Sequence, residues 1–195
     1  MASIFQKLEL EAFRKGIKPR TAESIKWFRR KAGAMRGIRS AQLMQEEPIE
    51  LKNRQVMGSM FMFYYQPKHR ETLPYYDSFP LAIIVDRVEG GFTGLNLHYL
   101  PAVLRAKFLD GLMDITNNKS YDDTTKFQAR YSTLQKVSKL KYYKPCFKRY
   151  LSGQVRSRFA YVPPPEWEIA TFLPTAQWNK AGQGEIYRDS RKMIA

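Results

Sequence analysis

The stretch GSMFMFYYQPKHRETLPYYDSFPLAIIVDRVEGGFTGLNLHYLP, from Gly58 to Pro101, decides the fold. It holds the densest apolar and aromatic material in the chain. Three extended runs stand inside it, Met60 to Tyr65, Phe79 to Val85 and Phe92 to Leu97. Turn-formers separate them at Gln66-Pro67-Lys68, Leu73-Pro74 and Glu89-Gly90-Gly91. Met57 to Tyr65 is almost continuously apolar or aromatic, which predicts a strand covered on both faces. Pro80 suits the start of a strand, where a missing N–H costs little. Leu95, Leu97 and Tyr99 alternate with Asn96 and His98, which predicts one wetter face. Together these features predict an α+β fold built on a small antiparallel sheet. The sheet is strongly bent or partly closed into an SH3-like barrel, with flanking helices and extended termini.

Outward from that stretch, residues 1–50 read as a basic, mostly helical N-terminal arm. Ser3 and Thr21 are candidate N-caps for two helices, and Gly16 to Pro19 ends the first of them. Arg29 and Arg30 lie near the end of the second, and Arg36 and Arg39 follow among small residues. Such an arm is either two ordinary surface helices or an extension that orders against a partner. Residues 51–174 read as an α+β core domain with basic helices. Pro101 opens a helix from Ala102 to about Met113 with Leu104, Phe108 and Leu112 on one face. A second helix runs from Thr124 or Thr125 to about Leu140, with Phe127, Tyr131, Leu134 and Val137 as its apolar stripe. Pro145 to about Leu151 reads as a short helix. Glu166 to Leu173 reads as an edge strand returning to the sheet. Residues 175–195 read as a C-terminal tail.

The chain has 195 residues, enough for one substantial domain with arms. Its 33 Lys and Arg against 18 Asp and Glu give a formal charge of +15, which fits nucleic acid, an acidic protein or an anionic surface as partner. A single cysteine, Cys146, excludes an intramolecular disulfide. No apolar run is long enough to span a membrane, and the N-terminal residues do not read as a signal peptide.

No catalytic constellation stands out. His69 sits in the charged loop Lys68-His69-Arg70-Glu71, and His98 reads as a hydrogen-bonded structural histidine. Asp110 and Asp114 share a helix face and could help to hold magnesium, yet they also fit an ordinary solvent face. The Gly90-Gly91-Phe92-Thr93-Gly94 run lacks both the dinucleotide fingerprint and the Lys and hydroxyl pair of a triphosphate loop. The expectation is therefore a non-enzymatic protein with no cofactor and no metal. An enzyme would need a buried polar pocket around His98, Asp86 or Cys146.

The basic residues carry more information. From Lys126 to Arg158 there are ten Lys and Arg and no acid, interleaved with aromatics such as Tyr142, Tyr143, Phe147 and Tyr150. Cations of this kind can meet phosphates while exposed aromatics stack on bases. They can equally meet acidic protein subunits. The candidate contact residues are Arg29, Arg30, Arg36, Arg39, Tyr64, Tyr65, Tyr75, Tyr76, Lys139, Lys144, Lys148, Arg149, Arg156 and Arg158.

Four phrases carry a resemblance. They are Phe61-Met62-Phe63-Tyr64-Tyr65-Gln66-Pro67-Lys68, Leu73-Pro74-Tyr75-Tyr76-Asp77, Gly94-Leu95-Asn96-Leu97-His98-Tyr99-Leu100-Pro101 and Lys144-Pro145-Cys146-Phe147-Lys148-Arg149-Tyr150-Leu151. They resemble small structural proteins of contractile-tailed, T4-like phages, over about Lys52 to Leu173. The resemblance implies a virion protein, assembled in the host cytoplasm among other virion proteins in multiple copies. Its first form is a tail or baseplate component that joins neighbouring subunits. Its second is a head-completion or DNA-end-protecting protein that binds nucleic acid.

Overall fold

The computed structural model describes residues 2–35 and 40–195. Arg36 and Arg39 therefore lie outside the described residues. The chain runs α1 (Ile4–Arg14), α2 (Ala22–Ala34), α3 (Ser40–Leu43), β1 (Leu51–Lys52), β2 (Met60–Met62), β3 (Tyr76–Asp77), β4 (Leu81–Val88) and β5 (Gly91–Asn96). It continues with α4 (Ala102–Thr116), α5 (Asp123–Lys139), β6 (Phe147–Leu151), β7 (Phe159–Val162), α6 (Trp167–Phe172), β8 (Trp178–Asn179) and α7 (Gln183–Ile194). The fold is α+β.

Six strands form one antiparallel sheet in the order β1-β7-β2-β4-β5-β6, and β3 pairs with β8 in a separate ribbon. The main sheet is not closed into a barrel: β1 and β6 are its two edges. A lone bridge, Tyr65 to Val155, crosses one end. Around it the Gln66 N–H donates to the Gln154 carbonyl at 3.0 Å, and the Arg156 N–H donates to the Tyr64 carbonyl at 2.8 Å. The connection from β6 to β7 thus runs antiparallel beside the residues that follow β2, without closing the sheet.

Side chains alternate across a strand, and here both faces are apolar. Met60, Met62, Leu81, Ile83 and Val85 face the helices in the larger core. Phe61, Phe63, Ala82 and Ile84 face the other way, into a smaller core with Tyr65, Phe92, Tyr150 and Phe159. This second core is largely aromatic. Phe63 lies 5.2 Å from Tyr150, 5.7 Å from Phe92 and 5.1 Å from Phe159, centroid to centroid. The continuous apolar reading of β2 has its cause in these two cores.

The hairpin between β4 and β5 depends on glycine. Gly90 has a φ of 72°, a value open to glycine at no steric cost. At Gly91 the constraint is spatial, because an added Cβ would fall 1.9 Å from the Tyr150 carbonyl oxygen in the paired strand β6. That oxygen belongs to the backbone and cannot swing away. Gly91→Ala is expected to cost about 3 kcal/mol through overpacking, read as a lowered urea midpoint at unchanged slope.

The helices gather around α6. All six of its residues are buried, and it packs against α1, α2 and α4. The Trp167 indole N–H donates to the Val162 carbonyl at 2.9 Å. Glu168 accepts from the Ser24 hydroxyl at 2.5 Å and the Arg20 N–H at 3.0 Å, pinning the start of α2. The edge-strand expectation for Glu166 to Leu173 is corrected here. Pro164 and Pro165 preset the first turn of a helix, and its position as hub explains an apolar run without a solvent face. The helix expected at Pro145 to Leu151 is likewise replaced by β6, since the edge of β5 offers a complete ladder to Phe147–Leu151.

At the N-terminus both expected caps are present as capping boxes, Ser3 with Gln6 and Thr21 with Ser24. Phe5, Leu8, Trp27 and Phe28 are buried in the same core as the strands. At the other end Ile186 of α7 is buried there as well. The terminal segments of the described chain are helices laid on the core, α1 and α2 within the mostly helical N-terminal stretch expected and α7 within the expected C-terminal tail.

Near this packing lies a carboxyl in an unfavourable setting. Glu166 is half-buried, and burial with Glu9 and Glu46 close by pushes its pKa up to about 7. A carboxyl raised in the folded state binds more protons folded than unfolded between its ordinary value and about 7, so stability falls as pH rises through that window. A shift of this size corresponds to about 3 kcal/mol before screening, and the group's exposure reduces it to about 1 kcal/mol. Glu166→Gln is therefore expected to stabilise the protein by about 1 kcal/mol at pH 8, with the gain vanishing by about pH 5. Thermal melts at the two pH values check it.

Candidate functional site

The aromatic face of the sheet opens at one end into a cleft of about 460 Å³, within the range of small-molecule pockets. The strand register explains its composition. β5 and β6 pair with Phe92 opposite Tyr150 and Gly94 opposite Lys148. Gly94 brings no side chain, so Lys148 is left uncrowded from β5, while the Tyr150 ring beside it stacks on Phe92 at 5.3 Å. Tyr65 and Tyr150 meet edge to face at 4.9 Å. The Lys148 ammonium sits 3.9 Å from the centroid of the Tyr99 ring.

The opposite wall comes from β3 and the loop before it, with Tyr75, Tyr76, Pro67, Lys68, His69 and Leu73. This loop is tied down from the C-terminal segment. The Lys180 ammonium donates to the carbonyls of Glu71 at 2.7 Å and Leu73 at 3.1 Å. Arg149 stands at the rim, one guanidinium N–H donating to the Glu89 carbonyl at 2.8 Å. Among the described residues neither Lys148 nor Arg149 forms an ion pair with a carboxylate.

Burial lowers the pKa of the Lys148 ammonium from its ordinary value, with the nearby Cys146 acting in the opposite sense. Burial also pushes the Tyr65, Tyr99 and Tyr150 hydroxyls up, so all three are neutral, and the Tyr65 hydroxyl accepts from the Leu151 N–H at 3.2 Å. The Cys146 thiol is pushed up to about 12 for the same reason, which makes it an unreactive core group. Cations held among tyrosine faces and unmatched by carboxylates suit a ligand that is anionic and flat.

Beneath the cleft lies a buried polar network. The Asp77 carboxylate accepts from the Asn96 amide at 3.0 Å, the Phe79 N–H at 3.0 Å and the Gln177 N–H at 3.1 Å. It also meets His98 Nδ1 at 2.6 Å. His98 Nε2 lies 3.1 Å from the Thr175 hydroxyl. Burial lowers the His98 pKa, against the pull of Asp77, so the ring is neutral. It donates from Nδ1 to Asp77 and accepts at Nε2 from Thr175. His98 is thus the hydrogen-bonded structural histidine expected, with its partners now identified. The order hydroxyl, imidazole, carboxylate is buried, with Asp77 at the floor of the cleft, and its effect is to fix β3 against β5 and the segment leading to β8.

The candidate contact residues divide. Tyr65, Tyr75, Tyr76, Lys148 and Arg149 come together in the cleft. An adjoining groove shares Tyr65 and Tyr76 with it and adds Tyr64 and Arg156. Tyr64 is half-buried, its ring 4.9 Å from Phe79 and its hydroxyl 2.6 Å from that of Ser40, so it serves packing more than contact. Lys139, Lys144 and Arg158 are exposed but line neither opening. Arg29 and Arg30 border other cavities on α2. Sequence reasoning missed Tyr99, Tyr150, Asn96 and Asp77 as parts of one site. The available signal was the alternation in Gly94-Leu95-Asn96, which puts Asn96 on the face of Phe92.

Among the described residues no group of three His, Cys, Asp or Glu could hold a metal ion, and no helix is long and apolar enough to cross a membrane. Comparison with protein-family models matches residues 6–193 to the family described as Phage T4 terminal DNA protecting protein. No curated protein and no solved structure gives a significant match.

Proposed function

From the premise that this chain belongs to the phage T4 terminal DNA protecting protein family, we propose that it binds the ends of duplex DNA and shields them, without catalysis of its own. The family match favours this reading over a tail or baseplate subunit. The observation that carries it is the cleft in which Tyr65, Tyr75, Tyr76, Tyr99 and Tyr150 surround Lys148 and Arg149. At the end of a duplex the last base pair exposes a stacking face that interior pairs lack. Tyr75 and Tyr76, the partly exposed members, can cover that face over a floor of buried Tyr65, Tyr99 and Tyr150, while the two cations take the adjacent phosphates. The net charge of +15 supplies long-range attraction to the duplex. On this reading the protein travels with the virion at the DNA terminus, beside other virion proteins.

The test is fluorescence anisotropy with a linear blunt duplex and a dumbbell of equal length closed by hairpin loops. Linear DNA is expected to bind about tenfold tighter or more, with affinity falling steeply between about 50 and 200 mM salt. Equal affinity for the two would overturn the end-specific reading.

A further inference from the structure

A second opening, of about 560 Å³, lies on the far side of the buried Asp77–His98 pair. It is bounded by α2, the start of α4, the segment after α6 and the start of α7. Its composition is one-sided. Arg29, Arg105 and His98 line it, and among the described residues no Asp or Glu does.

Arg105 is the unusual member. The sequence pattern places Leu104 on the buried face of α4, yet Leu104 is 44% exposed and Arg105 is 4% exposed. A guanidinium has five N–H groups. Three of them are engaged, Nε with the Leu100 carbonyl at 2.6 Å, Nη1 with the Thr171 carbonyl at 2.9 Å and Nη2 with the Tyr187 hydroxyl at 2.7 Å. All three acceptors are neutral. One N–H on each terminal nitrogen remains, and among the described residues no carboxylate pairs with the charge. A buried cation left this way is costly unless an anion completes it.

Other donors surround it. Gly182 precedes α7 and has no side chain to cap it, so the first amides of this helix, at Gln183 and Gly184 on the cavity wall, carry no side-chain acceptor. Trp178 also lines the cavity, and its buried indole N–H has no acceptor. Arg29 stands exposed at the rim.

We propose that this cavity is an anion site for a phosphate monoester, held by the two free N–H groups of Arg105 and the N-terminus of α7. Resting on the DNA-end reading, its ligand is the 5′-terminal phosphate of the bound strand. A terminal monoester is the phosphate an internal position of DNA does not offer, so the site adds a second criterion for an end. The tyrosine cleft and this cavity flank the same Asp77–His98 wall, with Asp77 and Asn96 on one side and His98 on the other.

Two arms test it with the full chain. In the first, inorganic phosphate is titrated and the melting temperature followed, for the wild type, Arg105→Met and Val103→Glu. Val103 lines the mouth of the cavity and is 39% exposed, so Val103→Glu adds a carboxylate there without disturbing the core. The wild type is expected to be stabilised, with apparent phosphate affinity lowered about tenfold or more in Val103→Glu. Equal stabilisation of wild type and Val103→Glu overturns the site. In the second arm, duplexes with a 5′-phosphate and a 5′-hydroxyl are compared. The phosphorylated end is expected to bind about tenfold tighter to the wild type, and the advantage to disappear in Val103→Glu. Phosphate binding lost in Val103→Glu together with equal affinity for the two ends supports the anion site and overturns its assignment to the strand terminus. The phosphate arm needs no DNA, so it stands if the DNA-end reading fails.

Discussion

Asp77→Ala is expected to destabilise the protein by about 3–5 kcal/mol, among the largest effects of any single substitution. The carboxylate is buried and accepts from four donors on three parts of the chain, the Phe79 N–H, the Asn96 amide, His98 and the Gln177 N–H. Alanine would strand all four at once in a buried site at the floor of the cleft, and the cost of such groups is that of desolvation only partly repaid. Asp77→Asn retains part of the acceptor capacity and is expected to cost less. Urea unfolding measures both. The same network sets a pH dependence. His98 is held neutral by burial, so its pKa in the folded state lies below the ordinary value. The unfolded chain then binds more protons than the folded one below about pH 6.5, and stability is expected to fall with pH from there downward. His98→Gln is expected to remove that part of the dependence. A stability unchanged by Asp77→Ala would show that the wall between the two cavities is not held by this carboxylate.

The second large effect belongs to binding. Lys148→Ala combined with Arg149→Ala is expected to weaken affinity for a linear duplex about 10- to 100-fold at moderate salt, and to lower the slope of log K against log salt by about two. Tyr76→Ala, which leaves the charge unchanged, is expected to cost about 1–3 kcal/mol of end binding with little change in salt slope. The two variants therefore separate phosphate contact from stacking. Lys139→Ala with Lys144→Ala serves as the control, since both are exposed and outside the cleft. Its expected effect is a modest, general weakening. A loss equal to that of the cleft variant would place the contact on the α5 end of the basic run.

Much of the architecture is legible in the chain. The three runs between Gly58 and Pro101 become β2, β4 and β5, and their separators become the turns between them. Ser3 and Thr21 announce their helices because an N-cap acts through neighbours in sequence. What local pattern could not supply is the partner of each segment. Glu166 to Leu173 has the composition of an edge strand, and only its place among α1, α2 and α4 makes it a buried helix. Phe147–Leu151 has no strong strand signal, and the free edge of β5 decides it. The same limit governs the sites. The basic run from Lys126 to Arg158 is plain in sequence, but Lys148 and Arg149 are separated from Tyr65, Tyr75 and Tyr76 by some seventy residues or more and meet them through sheet pairing. Arg105 breaks the helical apolar pattern in silence, since its acceptors, Thr171 and Tyr187, arrive from far along the chain. Nothing within a few residues of Arg105 announces its burial.

The most direct test of the central claim is photo-crosslinking of a linear duplex carrying 5-iodouracil at its terminal position, with the crosslinked peptides identified by mass spectrometry. The expected result is crosslinking to the segments that carry Tyr65, Tyr75, Tyr76, Tyr99 or Tyr150, and its loss when the iodinated base is moved to the duplex interior. Crosslinks confined to α5 or α2, or the same yield from terminal and interior positions, would contradict it.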